Sequence, residues 1–164
     1  MTPGLRGESL DPHPPVREVL AEHLPGICAL ELLTFDEVAW QEHVVRQLYL
    51  IHGGEWFVVA DGPDVWGYAL GAICPDGYTA WVLGFAVDPE RRGQRIGKEL
   101  LNHCLGFLFA AGVREVRLTV RADDDNTLRL YRAFGFDIEQ HVDDFLGPGR
   151  HRYVMVAQLD GSGF

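Results

Sequence analysis

The sequence predicts a single α/β (α+β) domain: one mixed, mostly antiparallel sheet flanked by helices, with one strand–helix–strand crossover at its centre. Three observations carry that expectation. Apolar runs at Glu55–Ala60, Val65–Cys74 and Thr79–Val87 follow one another across short connections bearing Gly and Pro, as antiparallel neighbours do. Beyond Asp88–Pro89 the apolar spacing changes, from Ile96 onward, to a helical period. At Val113–Val120 it reverts to alternation, which leaves a helix bridging two strands.

Each element has its own signal. Residues 1–14 are rich in Pro and Gly and are expected to form a disordered arm, with 161–164 a flexible tail and 15–160 the domain. Val16–Val19 suits a short strand. Ile27, Leu30 and Leu33 are spaced for a helix, and Asp36 is expected to cap a second one carrying Val38, Val44, Val45 and Leu48. After the three apolar runs, Ile96, Leu100, Cys104 and Leu108 form one helical row and Leu101, Leu105 and Phe109 the adjacent one, with Gly112 as the stop. Val116, Leu118 and Val120 share one face of the next strand. Asp123–Asn126 caps a short helix that ends at Phe134–Gly135, and FDIEQHV and HRYVMVAQL close the sheet.

Composition narrows the function classes. A chain of 164 residues with 47% hydrophobic and 23% charged residues has ordinary globular make-up. A formal net charge of −10 argues against nucleic acid and favours encounter with cationic ligands such as amines. Cys28, Cys74 and Cys104 show no CxxC spacing and the seven histidines form no HxxxH pair, so no metal is expected and a reducing compartment fits. No signal-like start and no run of about 18 apolar residues is present, so no membrane association and a cytoplasmic location are expected.

The segment RRGQRIGKEL, Arg91–Leu100, raises the functional question. A strand, a Gly-containing loop and a helix start offer free backbone N–H groups to an anion. Gly93 and Gly97 allow close approach, and Arg91, Arg92, Arg95 and Lys98 can neutralise charge. The segment is not a Walker A loop, because GxxxGK is followed by Glu99 rather than GxxxxGK by Ser or Thr. A dinucleotide fingerprint, GxGxxG, is also absent.

LGFAVDPERRGQRIGKELL (83–101) and VRADDDNTLRLYRAFGF (120–136) together resemble the two signature segments of the GNAT superfamily of acyl-CoA-dependent N-acetyltransferases, within a likeness that covers roughly residues 16–159. The resemblance implies that the anion is the pyrophosphate of acetyl-CoA, the co-substrate, cradled by Gly93, Gln94, Arg95, Ile96, Gly97 and Lys98, with Arg92 opening the motif. It implies a sheet splayed between its fourth strand, Val82–Val87, and its fifth, Val116–Val120, where the pantetheine arm bonds the backbone of Phe85, Ala86 and Val87 as an added strand. A backbone N–H there would hold the oxyanion. Gly84 fits either a bulge at that place or space for a neighbouring Trp. Tyr131 falls on the family's tyrosine, the general acid toward the departing thiolate.

Four departures qualify the transfer. Arg95 stands where Gly is usual and is expected to take ordinary right-handed dihedrals. Asp124 holds the place of an Asn that bonds pantetheine, with Asn126 two residues late; Asp123 and Asp124 serve equally as helix caps. Thr119 replaces the Glu base of the ribosomal-protein N-terminal acetyltransferases, leaving Glu55, His141, Asp143 and Asp144 as candidates. In DDFLGPGRHRYVM (143–155), which resembles that subgroup's last loop and strand, Arg150 and His151 replace an acidic pair, while Asp143, Asp144 and Phe145 are candidates for one wall of an amine site.

The resulting expectation is direct acetyl transfer to a primary amine, either a small molecule or a protein N-terminus or lysine, since no cysteine lies in either motif. The alternative is an acyl-CoA-binding sensor without turnover. The resemblance also allows a homodimer paired through the last strands.

Overall fold

The computed structural model describes residues 13–163, so residues 1–12 of the expected arm lie outside the described residues, as does Phe164. In chain order the elements are β1 (Arg17–Glu18), α1 (Leu24–Phe35), α2 (Glu42–His52), β2 (Trp56–Asp61), β3 (Asp64–Ile73), β4 (Thr79–Val87), α3 (Ile96–Ala110), β5 (Glu115–Arg121), α4 (Asp125–Ala133), β6 (Asp137–Val142) and β7 (Arg152–Gln158). Among the described residues the strands form one seven-stranded sheet in the order β1-β2-β3-β4-β5-β7-β6. Every neighbouring pair is antiparallel except β4 and β5, which α3 connects as the parallel crossover.

Alternation along β2 divides the interior into two cores. Phe57 and Val59 pack with the α3 rows Ile96, Leu100, Cys104, Leu108 and Leu101, Leu105 on one face. Trp56, Val58 and Ala60 pack with Leu24, Ile27 and Leu30 of α1 and Val45 of α2 on the other. Each fully buried aliphatic side chain contributes about 1.5–3 kcal/mol, which fixes both helices to the sheet. Gly112 (φ 102°) follows the end of α3, and its N–H bonds the Phe109 carbonyl.

Two expectations about the first helices are corrected. Leu33 is 61% exposed. Steps of three residues lag a 3.6-residue period, so the Ile27–Leu30–Leu33 row drifts off the core, and Glu31, four residues after Ile27, turns inward. Asp36 does not cap α2. It opens a single 3-10 turn, Asp36–Val38, with φ 48°, and α2 begins only after Gln41, so Val38 lies outside the helix.

His13 is packed at 7% exposure, its Nε2 3.3 Å from a Glu99 carboxylate oxygen. No helix among the described residues is long and apolar enough to cross a membrane.

Candidate active site

The crossover creates the site because the parallel pair is incomplete. β4 pairs with β5 only from Thr79 to Val82, opposite Glu115 to Leu118. From Gly84 to Val87 its strand partner is β3 alone. The two strands therefore part, and a cleft of about 830 Å³ opens between them. A bulge marks the point of parting. Leu70 pairs with Gly84 but Gly71 with Val82, so Leu83 is the extra residue. A Cβ at Gly84 would lie 2.6 Å from Trp40 and 2.8 Å from Tyr68, so both sequence readings of this glycine hold together.

At one end of the cleft is the loop expected to hold an anion. The main-chain N–H groups of Gly93, Gln94, Arg95, Ile96, Gly97 and Lys98 form no hydrogen bond among the described residues; the first helical bond runs from Glu99 N–H to the Arg95 carbonyl, 3.0 Å. Gly93 has φ 83° and Arg95 φ 66°, a backbone that turns successive N–H groups toward one concavity. This corrects the expectation for Arg95, which takes the left-handed conformation of the usual glycine despite its Cβ. The side chains of Arg92, Arg95 and Lys98 have no hydrogen-bond or ion-pair partner among the described residues. Arg91 differs. Its guanidinium stacks 3.5 Å over Trp66 and lies 3.6 Å from an Asp64 oxygen, so its charge is already matched.

In the middle stands Tyr131, 4% exposed, between Phe85 and Phe136 at ring separations of 5.9 and 5.8 Å. Burial first, then the Asp124 charge, pushes its phenol well above the ordinary value, so it keeps its proton. Its hydroxyl has no hydrogen-bond partner among the described residues.

At the far end, under the bulge, is a pair that sequence reasoning missed. Glu31, 3% exposed, accepts a hydrogen bond from the Tyr68 hydroxyl and another from the Trp40 N–H at 2.9 Å. Burial raises the Glu31 carboxyl above its usual range, with the two hydrogen bonds working in the other direction. Burial and the neighbouring carboxylate raise the Tyr68 phenol further. Both residues line the cleft. The Glu37–Arg150 ion pair ties the turn after α1 to the β6–β7 loop, at the rim of an adjoining pocket.

Of the residues expected at the site, Phe85, Ala86, Val87, Arg92, Gly93, Arg95, Ile96, Gly97, Lys98, Asp124, Asn126 and Tyr131 line this cleft, as does Thr119. Gln94 does not, although its N–H belongs to the free set. The Asp124 carboxylate caps α4, accepting from Thr127 N–H at 3.1 Å and its hydroxyl at 2.7 Å, and Asn126 Oδ1 accepts from Arg129 at 2.6 Å.

The four candidate bases are elsewhere. Glu55 accepts from the Ile73 N–H, 3.0 Å, and contacts His52. His141 and Asp143 lie 3.7 Å apart, and His151 is 3.2 Å from Asp143 and 3.8 Å from Asp144. None of these lines the cleft, whereas Phe145 and Leu146 do. In the sequence a lone carboxylate in ALELLTF reads as solvent-facing, and the i+4 spacing of Glu31 from Ile27 is the signal that it faces inward.

Comparison with known proteins agrees with this arrangement. A family model described as the Acetyltransferase (GNAT) family matches residues 25–136. The N-alpha-acetyltransferase RimI of Mycobacterium tuberculosis is 42% identical over 103 residues, covering 60% of this chain and 57% of that protein. The crystal structure of Ard1 from Thermoplasma volcanium superposes with a TM-score of 0.80 at 22% identity, covering 88% of this chain and 96% of the other. The NatC complex bound to Gag peptide and CoA also gives 0.80, at 15% identity, covering 88% and 97%. At those identities the structural likeness concerns the fold. The chain spans between 20% and 65% of the length of four curated relatives it matches.

Proposed function

The chain belongs to the acetyltransferase (GNAT) family, and from that premise we propose that it transfers an acetyl group from acetyl-CoA to a primary amine. The observation that carries the reading is the set of N–H groups from Gly93 to Lys98 that are free among the described residues, beside three cations unpaired among them, at the end of a cleft between parted strands. A diphosphate fits that cradle in charge and in donor geometry. When bound, acetyl-CoA supplies an activated acyl group as its thioester; a structural neighbour described as bound to a peptide and CoA supports both ligand classes for this fold.

The chain's own groups then have distinct tasks. The Phe85–Val87 edge of β4, unpaired on its β5 side, offers main-chain donors and acceptors to an extended ligand. Leu83 at the bulge and Gly84 set the backbone path at that edge. Tyr131 holds a proton at its hydroxyl, facing the cleft, for a departing thiolate. An ordinary thiol with a pKa of about 8.5 leaves readily enough that this donation assists rather than decides the rate.

An incoming ammonium must lose a proton before it can attack. Tyr68 takes that proton on its oxygen while passing its own to Glu31, whose carboxylate already accepts the Tyr68 hydrogen bond. The transfer is direct. None of the three cysteines lines the cleft, and burial pushes the Cys104 thiol up to about 12.

The test mixes protein, acetyl-CoA and a panel of primary amines and follows thiol release against a no-amine control. Amine-dependent release that falls in Tyr131→Phe is expected. Tight CoA binding without release for any amine would replace this reading with an acyl-CoA sensor.

A further inference from the structure

Three arginines meet where β5 ends and β7 begins, and they are not equivalent. Arg121 holds Asp123 through two hydrogen bonds, 3.0 and 2.8 Å. Arg150 is paired with Glu37. Arg152, directly across from Arg121 in the strand register, has no carboxylate within ion-pair distance among the described residues. It is nevertheless the most buried of them, at 9% exposure, and its side chain makes one hydrogen bond among the described residues, Nη1 to the His151 carbonyl at 2.9 Å.

A guanidinium carries five N–H donors, so most of them here lack a partner among the described residues. Burying such a charge without a counter-ion is strongly unfavourable. Burial, followed by the like charge of Arg121 and against the weaker pull of Asp123, depresses its pKa.

Placement says which anion. Alternation puts Arg152 and Val154 on one face of β7, and Thr119 and Arg121 on the matching face of β5, opposite the Val116, Leu118 and Val120 side that packs against α3. Arg152 lines the cleft together with Thr119, Trp81 and Phe145. The diphosphate cradle is at a separate element, the start of α3, and has its own cations. Glu31, also on the cleft wall, supplies the negative charge for an ammonium.

We infer that the acceptor is an amine that also carries a carboxylate, held by Arg152. Such a molecule is either a free α-amino acid or a peptide whose N-terminal region is acidic. This rests on the acetyl-transfer reading of the cleft. The overall charge of −10 does not oppose it, because at physiological salt the field of distant surface carboxylates is screened over about 8 Å.

The test uses the full chain and two matched pairs: L-alanine against L-alaninamide, and the amidated tripeptides Ala-Asp-Ala against Ala-Asn-Ala. Steady-state thiol release gives kcat/KM, and calorimetry in saturating CoA gives acceptor affinity without turnover. The carboxylate member of one pair is expected to be preferred by about tenfold or more, mainly through KM, and the pair that responds identifies the source. Arg152→Met should abolish the preference and leave CoA affinity unchanged, and Arg152→Lys should restore part of it. No preference in either pair, or a preference that survives Arg152→Met, overturns the inference, and so does a fall in CoA affinity in that variant. If no amine turns over, the acetyl-transfer reading fails, while the calorimetric preference still decides the role of Arg152.

Discussion

The end of the cleft proposed to hold the anion comes from one contiguous run, Gly93–Lys98, and offers main-chain N–H groups. The proposed acceptor end is assembled from side chains on separate elements: Glu31 on α1, Tyr68 on β3, Thr119 on β5 and Arg152 on β7. Backbone donors at a helix start depend on local conformation, so they tolerate side-chain change. Side chains gathered from distant segments depend on the fold and on each residue's identity. On the proposed reading, the first end recognises what a whole family shares, and the second sets what this chain does with it.

The largest expected effect separates the two ends. Glu31→Gln should lower kcat by about 10²-fold or more while leaving CoA affinity unchanged. The acidic limb of the parent's pH–rate profile should lie above the ordinary carboxylate range and vanish in the variant, because Glu31 must be ionised to accept a proton. Stability gives an independent sign. A folded-state pKa above the unfolded one contributes stability below the ordinary carboxylate value, and that stability is lost as pH rises through the raised value. The melting temperature of Glu31→Gln should therefore gain on the parent as pH rises. A constant difference would show that Glu31 is not the burdened acid proposed.

Tyr131→Phe should reduce kcat by roughly 10²-fold or less with little change in CoA affinity, measured by single-turnover kinetics and calorimetry. Gly84→Ala should cost about 1–3 kcal/mol in urea unfolding, because its Cβ overlaps Trp40 and Tyr68, and should raise the acceptor KM. A neutral Gly84→Ala would mean that Trp40 and Tyr68 move freely enough to admit the added methyl group.

Arg95→Gly should have the smallest effect and the opposite sign. Relief of a left-handed residue is worth about 1–2 kcal/mol. The freer unfolded chain offsets about 0.4–1 kcal/mol of that. A net gain in unfolding free energy is expected, together with a several-fold weaker CoA affinity from the lost cation. Destabilisation would contradict the backbone assignment.

The same division explains what could be read in the sequence. The rows of α3, the alternation of β5 and the glycines at 93, 97 and 112 are local patterns with local causes, and the loop followed from them. Elements governed by tertiary context depart from what local pattern predicts. Asp36 looked like a cap but sits in a 3-10 turn, Leu33 lost its inward place to Glu31, and Arg95 kept a glycine's conformation because the loop dictates it. The acceptor residues are separated by as much as 121 positions, from Glu31 to Arg152, and no periodicity links them. Thr119 marks the place where the resembling subgroup carries its base, and Glu31 and Tyr68, proposed to act in its stead, come together only through the packing of α1 under the β4 bulge.

The central claim is that the backbone from Gly93 to Lys98 holds the diphosphate of coenzyme A. The most direct measurement is an amide NMR titration of the labelled chain with CoA, assigned residue by residue. The amide signals of Gly93, Gln94, Arg95, Ile96, Gly97 and Lys98 should move together, saturate, and become protected from solvent exchange. Saturable binding that leaves these signals in place, or no binding at millimolar CoA, would contradict the claim.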